Sequence, residues 1–231
     1  MQHRIYVIIP AFNEEESIAK VIAEIPEYVQ EIVVVSNNST DATETVARTA
    51  GATVLHEPRR GYGHACLKGM AYIDAKVQSQ DIIVFLDGDY SDYPEELTKV
   101  VQPISEYDYD LVIGARRKAL REKHSMTPQQ VFGNWLATFL MKLFFNATFT
   151  DLGPFRAIRH KQLKLLNMTD KTYGWTVEMQ LKAIKKGLAY TEVPVRYKKR
   201  IGVSKVSGTV KGTIFASIKI LTWIFKYGLK Q

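Results

Sequence analysis

The chain has 231 residues, 46% apolar and 24% charged, which suits a soluble globular protein and excludes collagen-like, disordered and multi-span membrane classes. One cysteine, Cys66, cannot form an internal disulfide, and the apolar run at residues 5–9 is too short for a signal-peptide core; a cytoplasmic protein is expected. The net charge of +7 is unevenly placed: residues 182–231 hold 12 of the 31 basic residues and one acid, a balance of +11 against −4 for the rest. Such a tail suits nucleic acid, an anionic membrane surface or a phosphate-bearing substrate, or it is a solvated basic face.

Residues 4–9 form a short β-rich apolar run closed by Pro10. Asn13 offers a cap for a helix reaching about residue 28, with Glu14, Glu15 and Glu16 in its first turn, where the helix dipole favours acids. Residues 31–35 are a second strand whose lack of alternation implies burial on both faces. A helix over 41–50 ends at Gly51, and 53–56 is a third strand. A helix over 63–76 precedes a fourth strand over 81–86, and Pro94 suits the first position of the next helix, with Ser91 or Asp92 near its cap. Residues 111–113 are a fifth strand. The alternation predicts an α/β fold with a mostly parallel central sheet and helices on both faces, and ligands at the carboxyl ends of its strands.

After Arg116 the pattern changes to a polar, basic loop over 116–127, followed by a long helix over 129–145. Further strands are expected over 155–159 and 189–197, with a helix over 176–187 between them. Trp135 and Trp175 are expected in the core.

Asp87-Gly88-Asp89 closes the fourth strand. Two carboxylates one residue apart at a strand end suit a magnesium or manganese ion held against substrate phosphates, which takes one or two carboxylates and completes its shell with other oxygens. Arg59-Arg60-Gly61-Tyr62-Gly63 enters a helix and has the makings of an anion site: glycines for backbone approach, arginines for phosphate and a helix N-terminus behind. It lacks the Lys-Ser/Thr of a P-loop and the full dinucleotide glycine fingerprint. The five histidines show no metal-ligand spacing.

Pro10-Ala11-Phe12-Asn13-Glu14, Ser39-Thr40-Asp41 and Asp87-Gly88-Asp89 resemble the family-2 glycosyltransferases of GT-A fold. Gly114-Ala115-Arg116, the stretch from Thr150 to Arg156, Trp175-Thr176-Val177-Glu178-Met179 and the stretch from Arg200 to Lys205 resemble the dolichyl- or polyprenyl-phosphate mannosyl- and glucosyltransferase branch. The resemblance covers residues 4–210 and implies an inverting hexosyl transfer from a nucleotide sugar, of UDP-glucose or GDP-mannose type, to a polyprenyl phosphate. It implies a nucleotide site at Pro10, Ala11, Phe12, Glu14, Val35, Asn37, Arg60, Gly61 and Gly63. Asp87, Gly88 and Asp89 would meet the diphosphate, with Asp87 and Asp89 on the metal. Arg116, Arg200 and Lys205 would hold diphosphate or acceptor phosphate. Where the family usually has Asp-Asp-Gly the chain has Ser36-Asn37-Asn38, and residues 117–127 depart from the mannosyltransferase pattern, so glucose is expected ahead of mannose.

A lipid-phosphate acceptor is already anionic and needs no general base, whereas a hydroxyl acceptor needs one, for which Asp151 is the candidate. Glu178 is read either as a site residue or as a buried structural partner. Transfer to a soluble or glycan hydroxyl and nucleotidyl transfer remain alternatives; nucleic acid is not expected, because no aromatic residues interleave with the basic ones to form a reading surface. Homo-oligomerisation is left open. Residues 1–208 are expected to be the catalytic domain and 209–231 an amphipathic helix. In that helix Ile214, Ile218, Leu221 and Phe225 form a stripe opposite Lys219 and Lys226. It either lies on the cytoplasmic membrane surface or packs on the core.

Overall fold

The structure is a computed structural model and describes residues 3–202 and 210–228. Seven strands form one sheet in the order β3-β2-β1-β4-β6-β5-β7. They are β1 (Ile5–Ala11), β2 (Glu31–Ser36), β3 (Thr53–His56), β4 (Ile82–Phe85), β5 (Leu111–Ala115), β6 (Arg156–Arg159) and β7 (Tyr190–Pro194). Only β6 runs against its neighbours, β4 and β5. The sheet is therefore mostly parallel, as expected, and the ends of β1, β2, β4 and β5 open on one edge.

Alternation along the strands builds two core layers. Tyr6, Ile8, Val33, Val35, Ile83, Phe85, Leu111 and Ile113 face α3 (Tyr62–Ile73), α5 (Pro128–Phe145), α6 (His160–Leu166), α7 (Trp175–Lys185) and α8 (Val210–Gly228). Ile5, Val7, Ile9, Val34, Ile82, Val84 and Val112 face α1 (Ile18–Ala23), α2 (Thr43–Thr49) and α4 (Leu97–Tyr107). Pro94 opens a short 3-10 turn before α4. A capping box starts α5: Thr127 Oγ1 accepts from Gln130 N at 3.2 Å, and Thr127 N donates to Gln130 Oε1 at 2.8 Å.

Three expectations are corrected. The helix expected from Asn13 begins only at Ile18, because Asn13 has a left-handed backbone (φ 55°) and accepts from Thr40 N at 2.9 Å across the sheet edge. Glu14, Glu15 and Glu16 therefore precede the helix, and Glu15 accepts from Ala42 N at 2.8 Å. Helix α6 follows β6 without a break, burying His160, Leu163 and Leu166 against the core, and its sequence carries no start signal. Trp175 is core as expected, but Trp135 is 55% exposed on α5.

Helix α8 has two faces. Trp223 and Ile224 are buried in the core, while Phe215, Ile218 and Phe225 are exposed. Lys219 Nζ is 3.2 Å from Asp170, and Lys226 Nζ is 4.8 Å from the centre of the Trp223 ring.

Candidate active site

The chain turns from β4 into Asp87-Gly88-Asp89 at the open sheet edge. Ser17, where α1 begins, donates to the Gly88 carbonyl at 2.8 Å and ties that helix to the turn. Tyr62 Oη, from the first turn of α3, donates to Asp87 Oδ1 at 3.0 Å. One oxygen of Asp89 accepts from Ser91 N at 2.9 Å and from Ser91 Oγ; the other, Oδ2, carries the guanidinium of Arg200. Burial, and then the charge of Asp89, push the Asp87 carboxyl up to about 7 despite Arg200 nearby. An arginine seated on one carboxylate and a raised pKa on the other mark a spot short of positive charge. Among the described residues no three metal-ligating side chains converge. A divalent ion bound by Asp87 and Asp89 would need substrate and water oxygens, the shell magnesium and manganese prefer. The donor set fits such an ion.

The loops implied as the nucleotide site converge on the same edge, but several of their groups are already engaged. Asn37 donates to the Arg59 carbonyl and accepts from Gly61 N, both at 2.7 Å, so its amide closes the 57–61 loop. Gly61 and Gly63 serve packing rather than phosphate approach: a Cβ at either would lie 2.2 Å from Lys171 O or 2.0 Å from Asp170 O. Gly63 N and His64 N donate to the Thr172 and Lys171 carbonyls, so amides expected to receive an anion are spent on the protein. Val35 and Ala11 are buried in the two core layers and have no side-chain surface for a ligand, and Pro10 is buried as well. Phe12 and Arg60 do meet at the surface, the guanidinium 4.9 Å from the ring centre. Glu14 accepts from Ser17 Oγ at 3.1 Å.

Beyond β5, Arg116 and Asp151 face one another. Asp151 accepts from Arg116 N (2.7 Å), Nε (2.9 Å) and Nη2 (2.6 Å). Burial raises the Asp151 carboxyl, but the Arg116 charge and hydrogen bonds outweigh it and hold the group below the usual carboxylate range. The residue expected as a base is thus locked as a carboxylate on an arginine. Arg156, fully buried beneath, binds the Leu152, Gly153 and Thr176 carbonyls and holds the 151–154 turn. Glu178 is also structural: it is fully buried and accepts from Thr169 N and Asp170 N at 2.9 and 2.8 Å. Lys205 lies outside the described residues.

Beside the Arg116–Asp151 pair opens a cavity of about 400 Å³. Arg116, Arg117, Lys118 and Arg121 line it from the loop after β5, and Val131, Trp135 and Phe139 from α5. The aromatic residues continue along α5 as an exposed run that includes Phe132 and Leu143. Helix α8 packs beside α5, with Phe144 and Phe225 rings 5.7 Å apart, and extends that apolar surface through Ile218 and Phe225. Sequence reasoning missed Tyr62, Asp92, the cavity and the α5 face. Only the spacing of apolar residues on α5, too many for one buried stripe, could have signalled the last.

A mostly parallel sheet with an Asp-Gly-Asp turn at its open edge is the GT-A architecture of glycosyltransferases. The chain belongs to glycosyl transferase family 2, whose family model matches residues 6–166. It is 35% identical to an uncharacterised glycosyltransferase of Mycobacterium tuberculosis over 211 residues, 91% of this chain and 93% of that one. It is 28% identical to the undecaprenyl-phosphate mannosyltransferase of Micrococcus luteus, covering 95% and 93% of the two chains. Among solved structures it resembles the glucosyl-3-phosphoglycerate synthase of Mycobacterium tuberculosis in complex with Mn2+, UDP-glucose and phosphoglyceric acid. The TM-score there is 0.76 at 22% identity, over 98% of this chain and 80% of that one.

Proposed function

We propose that the protein transfers a hexose, glucose ahead of mannose, from a nucleoside-diphosphate sugar to a polyprenyl or dolichyl phosphate at the cytoplasmic membrane surface. The observation that carries this reading is the cavity beside Arg116, cationic where it meets the sheet edge and aromatic where it meets α5. A polyprenyl phosphate has the same two-part chemistry. The anionic oxygen of that acceptor attacks without a general base, which suits an Asp151 bound to Arg116 and unable to take a proton at neutral pH. A divalent ion on Asp87 and Asp89 would neutralise the leaving diphosphate. Arg200, and Lys205 by family resemblance, would add cationic contacts there.

The exposed apolar residues of α5 and α8 would lie in the membrane interface. Lys219 reaches Asp170 and Lys226 reaches the Trp223 ring, while Phe215, Ile218 and Phe225 are exposed. No helix among the described residues is long and apolar enough to cross a membrane, so the association would be peripheral. The division at residues 208 and 209 is then functional rather than a folding boundary, because Trp223 and Ile224 belong to the core. The polyprenyl-phosphate acceptor of the Micrococcus relative supports this reading.

A second reading, transfer to a small phosphorylated acceptor, is favoured by the basic residues of the same cavity and by the synthase whose fold this chain shares. The two separate in one assay with Mn2+ and UDP-glucose or GDP-mannose. Undecaprenyl phosphate in vesicles should yield lipid-borne sugar and free nucleoside diphosphate. Sugar appearing only on added 3-phosphoglycerate would overturn the lipid reading, and pyrophosphate release would mark a nucleotidyltransferase.

A further inference from the structure

Three carboxylates around the Asp-Gly-Asp turn and the cavity have partners: Asp87 has Tyr62, Asp89 has Ser91 and Arg200, and Asp151 has Arg116. Asp92 has none. It is 2% exposed, and neither of its side-chain oxygens has a hydrogen-bond partner. A buried carboxyl with no partner is costly, and natural proteins keep few of them without a use.

Its direction follows from the backbone. Asp92 pairs with Tyr197 across an isolated antiparallel bridge, and residues opposed in such a pair project to the same face. On that face the Tyr197 ring lies 5.0 Å from the Arg116 guanidinium. The charges that act on Asp92 are those of Asp87, Arg116, Asp89 and Asp151, so it sits between the Asp87-Gly88-Asp89 turn and the Arg116–Asp151 pair. Taking the transferase reading above as its basis, that is the space between donor diphosphate and acceptor, where the transferred hexose must sit. Burial, and then the charge of Asp87, raise the Asp92 carboxyl well above its ordinary value. Both of its oxygens are free to accept from a sugar hydroxyl, and a protonated carboxyl can also donate to one.

We propose that Asp92 binds a hydroxyl of the donor hexose and takes part in choosing the sugar. Calorimetry on the full chain with Mn2+ tests it, using UDP and UDP-glucose, then GDP and GDP-mannose, on the wild type, Asp92→Asn and Asp92→Leu. Free nucleotide affinities should stay within about twofold. The accepted nucleotide sugar should bind about two- to tenfold more weakly to Asp92→Leu, the range of one or two hydrogen bonds, and less so to Asp92→Asn. In the nucleotide-free protein Asp92→Leu should melt no lower than wild type, since it removes an unsatisfied buried group. Equal losses for nucleotide and nucleotide sugar would place Asp92 on the metal or diphosphate and overturn the proposal. Unchanged sugar binding, or a markedly lower melting temperature with no sugar-specific loss, would also overturn it. A wild type that binds none of the four overturns the transferase reading itself.

Discussion

Arg116 grips Asp151 through its main-chain amide and both sides of its guanidinium, at 2.6 to 2.9 Å, beside a cavity of about 400 Å³. A carboxylate held this way orients a cation and does not collect protons. Both partners are largely buried, and removing one side of such a pair costs about 3–5 kcal/mol. Asp151→Ala is therefore expected to lower the melting temperature by roughly 6–15 °C for a chain of this size. A general base would instead be lost with little change in stability. Calorimetric melting of Asp151→Ala beside Asp89→Ala distinguishes the two, and equal melting of both with wild type would restore the base.

Arg200 sits on the Asp89 oxygen that a divalent ion would need. Arg200→Ala should bind Mn2+ more tightly than wild type when no nucleotide is present, read by the paramagnetic signal of free manganese. Transfer should nonetheless fall by about ten- to a hundredfold if the arginine also meets the diphosphate, since a charge-assisted bond contributes about 1.5–3 kcal/mol. Arg200→Lys should also be impaired, because a point charge does not reproduce a planar fork. Weaker manganese binding by Arg200→Ala would refute the competition.

The pH dependence of stability carries the imprint of Asp87. Its carboxyl titrates at about 7 in the metal-free fold and near 4 when unfolded. Between those values the native state holds a proton that the unfolded chain has lost. The stabilisation is complete below about pH 4 and is lost as pH rises to about 7. The metal-free protein should melt lower at pH 7.5 than at pH 5.5, and Asp87→Asn should flatten that difference. A melting temperature that rises over the same interval would contradict it.

Membrane contact, if it runs through α5 and α8, should depend on side chains the fold leaves exposed. Trp135→Ser with Phe139→Ser, or Ile218→Ser with Phe225→Ser, should weaken sedimentation with anionic phospholipid vesicles severalfold. The melting temperature of the free protein should change little for Trp135→Ser with Phe139→Ser and fall modestly for Ile218→Ser with Phe225→Ser, since Phe225 packs on Phe144. Undiminished vesicle binding by the four-fold variant would leave the apolar face without this partner.

Trp223 donates from its indole to Asp170 at 2.7 Å, and the backbone beside Asp170 holds Gly63 and His64 at the start of α3. Trp223→Ala should therefore destabilise by about 3–5 kcal/mol, visible in denaturant titration. Removing residues 209–231 should cost at least as much, so a truncated chain that melts like wild type would show α8 to be dispensable to the core.

What the amino-acid sequence determined by itself is local in character. Strands β1, β2 and β4 are short β-branched runs, and Pro94 and Gly51 mark boundaries by their own backbone chemistry. Asp87-Gly88-Asp89 was legible because a strand-end pair of carboxylates needs only a few neighbouring residues. The tertiary structure alone decided what the polar groups are used for. Asn37 and the α3 amides were expected to meet a nucleotide, but they bond to loops more than twenty or a hundred residues away along the chain. Asp151 and Arg116, 35 residues apart, cancel one another as base and free cation. Asp92 stands out because, among the described residues, neither of its carboxyl oxygens has a hydrogen-bond partner. Periodicity records which side chains avoid water, and it does so within a few residues. Hydrogen-bond pairing is settled by whichever donor and acceptor the packed sheet brings within about 3 Å, and sequence distance says nothing about that.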